Sequence, residues 1–194
     1  MSAPPIRVIR SVDYVETPWK NGGGVTHEIA RSDTDGEVEW RISLATIDRD
    51  GPFSDFAGYD RTIVPLDGSG FELSFDDGSS VVLEQRFVPF RFGGERKVFC
   101  RLLDGRSRDL NAMALRARWQ HDVAALALSH VPVTFDAPAD SLVFFAGAAS
   151  AVSANETFDL CNGDTLACGE AVRLELRAVS ERAFALAVRF IRRA

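Results

Sequence analysis

The feature that most constrains this chain is the recurrence of short β-forming runs cut by Gly, Asp and Pro, with scarcely a capped, helix-period segment between them. Val25 to Ala30, Glu39 to Ile47, Arg61 to Leu66, Phe71 to Phe75 and Val81 to Leu83 read as strands in the first half. Val123 to Leu128, Val131 to Phe135, Ser141 to Phe145, Thr157 to Leu160, Ala171 to Leu176 and Ala183 to Ile191 continue the style in the second. The pattern predicts an all-β barrel or sandwich in which any helix is short. Asp67-Gly68, Asp77-Gly78 and Asp104-Gly105 are tight-turn dipeptides that supply positive φ, and each is expected to close a hairpin; Asn162-Gly163-Asp164 marks a further turn.

A chain of 194 residues can form one large β domain or two small ones, and at this size roughly 70% of the unfolded surface is buried without help from metals or disulfides. Composition shifts after Asp109-Leu110-Asn111, where polar motif residues give way to Ala, Val and Phe. Two β-barrels, 1–110 and 111–194, are expected from strand spacing and turn chemistry. Twenty-two basic against 28 acidic residues leave a net charge of −6 with both signs scattered, which gives no electrostatic reason to bind nucleic acid or an anionic membrane. Met1 to Pro5 holds no apolar run of leader type, and no stretch approaches the ~20 apolar residues of a membrane-spanning helix, so a cytoplasmic protein is expected. Cys100, Cys161 and Cys168 are odd in number and fit neither a zinc nor a redox spacing; all three are expected to be reduced, packed thiols.

Three segments could carry chemistry. In Trp19-Lys20-Asn21-Gly22-Gly23-Gly24, consecutive glycines allow backbone amides to converge on an anion beside the Lys20 charge and the Asn21 amide. The following run reads as a strand and the GxxxxGK[ST] pattern is missing, which excludes the helix-borne phosphate sites. A strained turn at a barrel rim with a solvated Lys20 is the alternative. In Trp40 to Ala45, alternation sets Trp40, Ile42 and Leu44 on a core face and Arg41, Ser43 and Ala45 on the other, where one guanidinium beside two small side chains would wall a small polar cavity. An Arg41 to Glu28 ion pair closing a barrel end is the alternative there. Asp50 to Arg61 is an aromatic-rich loop in which Phe53 and Phe56 are expected to plug the barrel while Arg61 arrives preorganised; with Lys20 and Arg41 it would form a local positive site for a small anion.

Catalytic and metal signatures are weak. His27, His121 and His130 show no metal-ligand spacing and no nucleophile motif appears, so neither a metal nor a cofactor is expected. Glu28, His27 and Asp109 are conceivable acid–base groups without a recognisable partner.

The combination W-K-N-G-G-G-x-T-x-E-I at Trp19 to Ile29, W-R-I-S-x-A at Trp40 to Ala45, D-G-P-F-S-x-F-x-G-x-D-R at Asp50 to Arg61 and D-L-N-x-M at Asp109 to Met113 closely resembles the HutD/Ves family. The resemblance covers Trp19 to Met113; beyond it only strand character matches. It implies a bicupin, two jelly-roll β-barrels in one chain, commonly a homodimer, linked to histidine utilisation and lacking the usual cupin metal ligands. It further implies a modulator that binds a pathway acid such as formylglutamate or urocanate, with no defining catalytic activity. Matching motifs put Lys20, Asn21, Arg41, Ser43 and Arg61 in the pocket. On that basis Lys20 and Arg61 pair with a carboxylate, Arg41 reaches a second oxygen and the Gly22, Gly23 and Gly24 amides shape the floor. Ala57 stands where the family often has Pro, and Ala114 near its Thr. The alternatives are a cofactor-independent isomerase or hydrolase with Glu28 or His27 as base, and a protein-interaction module.

Overall fold

The computed structural model describes residues 6–193; Met1 to Pro5, expected to carry no leader, lie outside the described residues. The elements in chain order are β1 (Ile6–Ile9), a 3-10 turn (Ser11–Asp13), β2 (Val15–Pro18), β3 (Gly24–Thr34), β4 (Glu37–Ile47), β5 (Gly51–Pro52), β6 (Tyr59–Asp67) and β7 (Phe71–Phe75). There follow β8 (Ser80–Leu83), β9 (Phe90–Gly93), β10 (Val98–Leu102), β11 (Ser107–Leu115), β12 (Trp119–Leu128) and β13 (Val133–Ala137). The chain ends with β14 (Ser141–Ala146), β15 (Ala149–Val152), β16 (Thr157–Leu160), β17 (Thr165–Cys168), β18 (Val172–Ala178) and β19 (Ala183–Arg192). Among the described residues the 3-10 turn is the sole helical element, and no helix is long and apolar enough to cross a membrane.

Each expected strand is present. The period-2 logic is clearest in β18, where Leu174, Leu176 and Ala178 are buried while Arg173, Glu175 and Arg177 are exposed, and in β7, where Phe71, Leu73 and Phe75 turn inward. The hairpin expectation holds for Asp77-Gly78, which joins the paired β7 and β8. It fails for Asp67-Gly68 and Asp104-Gly105, each of which carries the chain from one sheet to another. Gly68 and Gly105 do adopt positive φ, +85° and +65°. A left-handed residue reverses the chain in either setting, so the dipeptide marks a sharp turn without saying which strands will pair.

The chain divides into two compact units, one built from residues 15–121 and the other from β1 with residues 122–191. The division expected after residue 110 would cut through β11, a nine-residue strand hydrogen-bonded to β4 on one side and β6 on the other. In the unit of residues 15–121, a six-stranded sheet ordered β2-β3-β4-β11-β6-β9 and a four-stranded sheet ordered β5-β10-β7-β8 enclose one core. That core joins Ile47, Ile63 and Phe92 of the first sheet to Phe71, Leu73, Leu83 and Val98 of the second. Ile42, which alternation assigned to the core, is fully buried on the other face of β4.

The second unit pairs a five-stranded sheet, β1-β17-β14-β19-β12, with a four-stranded one, β13-β18-β15-β16, around Val143, Phe145, Leu166, Leu174 and Leu176. The N-terminal strand belongs here because β1 pairs antiparallel with β17, Ile6 opposite Cys168. Asp164 pins the segment after it, accepting bonds from the Ser11 amide at 2.9 Å and the Arg10 guanidinium at 2.7 Å. Burial pushes the Asp164 carboxyl up, but the Ser11 and Cys161 amides and Arg10 together hold it below the usual carboxylate range. All three cysteines are free; Cys100 and Cys168 are buried as expected, whereas Cys161 is exposed.

Candidate functional site

A cavity of about 480 Å³ opens at one end of the unit formed by residues 15–121. Its floor is the six-stranded sheet. Arg41, Ser43 and Ala45 of β4 point into it, as alternation required, and β11 faces them with Asp109 opposite Ala45 and Asn111 opposite Ser43. Arg61 enters from β6, and Thr26 from β3. Two loops form the rim: residues 18–21 supply Trp19, Lys20 and Asn21, and residues 52–56 supply Phe53, Ser54 and Phe56.

The rim is held by backbone bonds. Trp19 N–H donates to the Gly24 carbonyl and Gly22 N–H to the Trp19 carbonyl, both at 2.9 Å, and the Trp19 indole N–H reaches Thr26 Oγ1 at 2.8 Å. Phe53 and Phe56 donate their amides to the carbonyls of Val98 and Gly94, each at 2.9 Å. Such anchoring fixes the backbone from which the rim aromatics project into the cavity.

The glycine triplet is accounted for by the loop itself. Gly22 adopts φ +66°, and a Cβ on Gly24 would lie 2.1 Å from the Thr46 carbonyl oxygen. Gly23 N–H bonds Asn21 Oδ1 at 2.9 Å. With the Gly22 and Gly23 amides so engaged and none of the three glycines in the lining, the triplet builds the rim from behind and does not supply the anticipated floor of amides.

The electrostatic centre is deeper than the loop. Arg61 is 6% exposed; its Nε and Nη2 donate to Asn111 Oδ1 at 3.3 and 3.1 Å. Its guanidinium carbon lies 5.0 Å from the centroids of Phe56 and Phe92 and 5.7 Å from that of Phe53. Desolvation drives its pKa down to about 10; Asp109 pulls it up, and Arg41 lowers it further. Arg41, half-buried, lies over the same Phe56 ring at 5.4 Å, and its Nε is buried without a hydrogen-bond partner. Burial lowers its pKa too, with Glu28 opposing and Arg31 adding to the effect.

Asp109 is 1% exposed, and among the described residues neither carboxylate oxygen has a hydrogen-bond partner. Burial raises its pKa to about 7 against the lowering pull of Arg61. A carboxyl with two unfilled acceptor positions beside a cationic group is chemically competent to accept a proton or to donate one.

The candidates therefore separate. Lys20, Asn21, Arg41, Ser43 and Arg61 share the cavity, with Lys20 and Asn21 exposed at the rim. Glu28 lies within 3.7 Å of Arg31, and His27 Nε2 lies 3.0 Å from Glu16 Oε2; neither lines the cavity. The Arg41 to Glu28 ion pair given as the alternative is absent from the ion pairs among the described residues. Phe53 and Phe56, expected only to plug the barrel, hold the guanidiniums. Asn111, which lies in the D-L-N-x-M motif but was not among the expected site residues, also lines the cavity. Its place in the alternation with Asp109 was the available signal. Among the described residues no group of three or more His, Cys, Asp or Glu side chains is placed to hold a metal ion.

Comparison with known proteins adds the following. The HutD family model matches residues 11–186. A Pseudomonas putida relative, described as an uncharacterized protein in the hutC 3' region, is 43% identical over 117 residues; the match covers 59% of this chain and spans 61% of that relative's length. The structure of HutD from Pseudomonas fluorescens SBW25, obtained in a formate condition, superposes with a TM-score of 0.80 at 31% identity, covering 97% of this chain and 100% of that one. A cupin 2 conserved barrel domain protein from Leptotrichia buccalis, 10% identical, superposes with a TM-score of 0.58 over 93% of this chain and 98% of that one; this likeness concerns the fold alone. The architecture is an all-β bicupin.

Proposed function

The chain belongs to the HutD family, a family associated with histidine utilisation, and on that premise we propose that the pocket of the unit of residues 15–121 binds a small carboxylate. In this role the protein senses or buffers an acid intermediate of histidine breakdown in the cytoplasm. The observation that supports this most directly is the pair Arg41 and Arg61. Two guanidiniums converge on one aromatic ring in a protein of net charge −6, and among the described residues one Nε is left without an acceptor and neither guanidinium is in ion-pair contact with a carboxylate. Fixed, partly desolvated forks of this kind suit bidentate recognition of a carboxylate. Lys20 at the rim adds a steering charge, and Asn21 and Ser43 offer further polar atoms.

A thermal-shift screen with formylglutamate, urocanate, histidine, glutamate and formate tests the reading. A ligand at a hundred times its dissociation constant adds about 2.7 kcal/mol of stability, which raises Tm by several degrees for a domain of this size. Arg61→Ala and Arg41→Ala should abolish the shift. No shift with any of the five acids overturns the reading.

One observation favours a second reading, an isomerase or hydrolase acting on such an acid without a cofactor. Asp109 lies inside the pocket with its pKa raised by burial to about 7, where a general base is required to sit, whereas Glu28 and His27 are outside it. Incubation with the same acids followed by chromatography, in the wild type and Asp109→Asn, discriminates: binding without consumption rejects the enzyme.

A further inference from the structure

Asp109 is the group in this pocket that neither a binding site made of cations nor a packed barrel end explains. It is 1% exposed, both oxygens lack hydrogen-bond partners among the described residues, and the adjacent guanidinium does not neutralise it by contact. Arg61 turns Nε and Nη2 to Asn111 Oδ1, and its Nη1 approaches the Ser54 carbonyl at 3.5 Å. Thus the carboxyl and the guanidinium share a cavity while Asn111 takes the donors that would make a closed ion pair.

We propose that Asp109 is a ligand-contacting residue that acts in its neutral form, donating its O–H to the bound carboxylate, so that the pocket takes up its anion together with a proton. This deepens, and rests on, the carboxylate-binding reading. The balance is simple. The free pocket with Asp109 ionised carries Arg41⁺, Arg61⁺ and one buried negative charge that repels an incoming anion; a proton from solvent on Asp109 removes that repulsion and converts an acceptor into a donor. No covalent bond is made or broken apart from that O–H.

The charged and titratable groups around Asp109 agree with this assignment. Arg61 on β6 and Arg41 on β4 supply positive charge, and Lys20 lies on the rim. Glu28 on β3 acts on Arg41 and does not line the cavity. Cys100 on β10 is held neutral, its pKa pushed up to about 12 by burial, with Asp109 and Asp50 adding to the rise. Burial, opposed by Arg61, raises the Asp109 pKa to about 7.

The test is calorimetry with N-formylglutamate and formate as probes, in buffers of different ionisation enthalpy, from about pH 5.5 to about pH 8.5. The expected result is about one proton taken up per ligand at about pH 8, where free Asp109 is ionised, and almost none at about pH 5.5, where it already holds the proton. Affinity then falls up to tenfold per pH unit above about 7. Asp109→Asn, neutral at every pH and still a donor, should bind both probes with no proton uptake and a flat pH profile. Wild-type binding without buffer-dependent enthalpy overturns the proposal and leaves the carboxylate reading standing. Failure of both probes to bind at any pH overturns the proposal together with the reading beneath it. The wild-type measurement needs no variant, so a poorly folding Asp109→Asn does not obstruct the decision.

Discussion

Asn111 Oδ1 accepts two hydrogen bonds from Arg61, at 3.3 and 3.1 Å, and so keeps the guanidinium turned from Asp109, two residues earlier on the same face of β11. The arrangement is costly without its amide. In Asn111→Leu, similar in volume and apolar, the Arg61 donors lose their acceptor inside the barrel, and a buried charged donor left unmet costs about 1.5–3 kcal/mol. Urea denaturation should show a loss of up to that size, smaller by what a new Arg61 to Asp109 contact recovers, with an unchanged m-value. The freed guanidinium should also turn to Asp109 and lower its pKa, which carboxyl-carbon NMR reads directly. An unaltered Asp109 titration in a folded Asn111→Leu protein would count against this account of the pair.

Asp109 also sets a sign for stability against pH. Its folded pKa of about 7 stands above the ordinary 3.8, so in the window between these values the folded protein binds a proton that the unfolded chain does not. The contribution is fully present below about pH 4, is lost as pH rises toward about 7, and stays lost above. Other carboxylates run the opposite way: Asp164 and Asp60 are both held below their usual range, by hydrogen bonds and arginine charge acting against burial, and lose their contribution as pH falls. Only a difference isolates Asp109. Asp109→Asn should be more stable than the wild type at about pH 8 by a few kcal/mol, with the gap closing toward pH 4 in paired denaturation curves.

The Trp19 to Gly24 loop predicts a graded series. A Cβ at Gly24 would lie 2.1 Å from the Thr46 carbonyl oxygen in the β3–β4 ladder, a clash with backbone that cannot relax locally. At Gly22 a Cβ would add strain at φ +66° and meet the end of the flexible Arg49 side chain at 3.1 Å, and at Gly23 the nearest neighbour is the Asn21 side chain at 3.2 Å. Gly24→Ala should therefore cost about 3 kcal/mol or more, Gly22→Ala about 1 kcal/mol, and Gly23→Ala least. Equal losses at all three positions in thermal unfolding would contradict the separate roles assigned to these glycines.

What was legible in the sequence follows the physics of alternation. β18 could be read because its apolar and polar residues alternate in an ordinary way, and on β4 the same rule separated Arg41, Ser43 and Ala45, which line the cavity, from Trp40, Ile42 and Leu44 on the opposite face. β11 could not, because both of its faces are covered: Ser107, Asp109 and Asn111 point inward while Leu110 and Ala112 are buried on the opposite face. A strand covered on both faces and polar toward the interior resembles a loop, and the expected division at residue 110 fell inside it for that reason. The short strands β1, β5 and β17 leave too little pattern to find. Arg61 was found through the loop that delivers it, but not its partner Asn111, since nothing local links positions 50 residues apart.

Arg41 and Lys20 should behave oppositely when removed. Lys20 is exposed on the rim, so Lys20→Ala should leave stability within about 0.5 kcal/mol and weaken carboxylate binding mainly at low salt, where an exposed charge is least screened. Arg41 is held against an electrostatic gradient: its Nε is buried and unpartnered, and its charge opposes that of Arg61. Arg41→Met keeps apolar contact with Phe56 while removing both burdens. It should raise stability by about 1 kcal/mol and cost carboxylate affinity on the order of a hundredfold, the trade expected of a residue retained for binding at the expense of the fold. Paired thermal unfolding and calorimetry on the two variants measure both quantities. A destabilised Arg41→Met with unchanged affinity would mean that Arg41 serves the barrel and not a ligand.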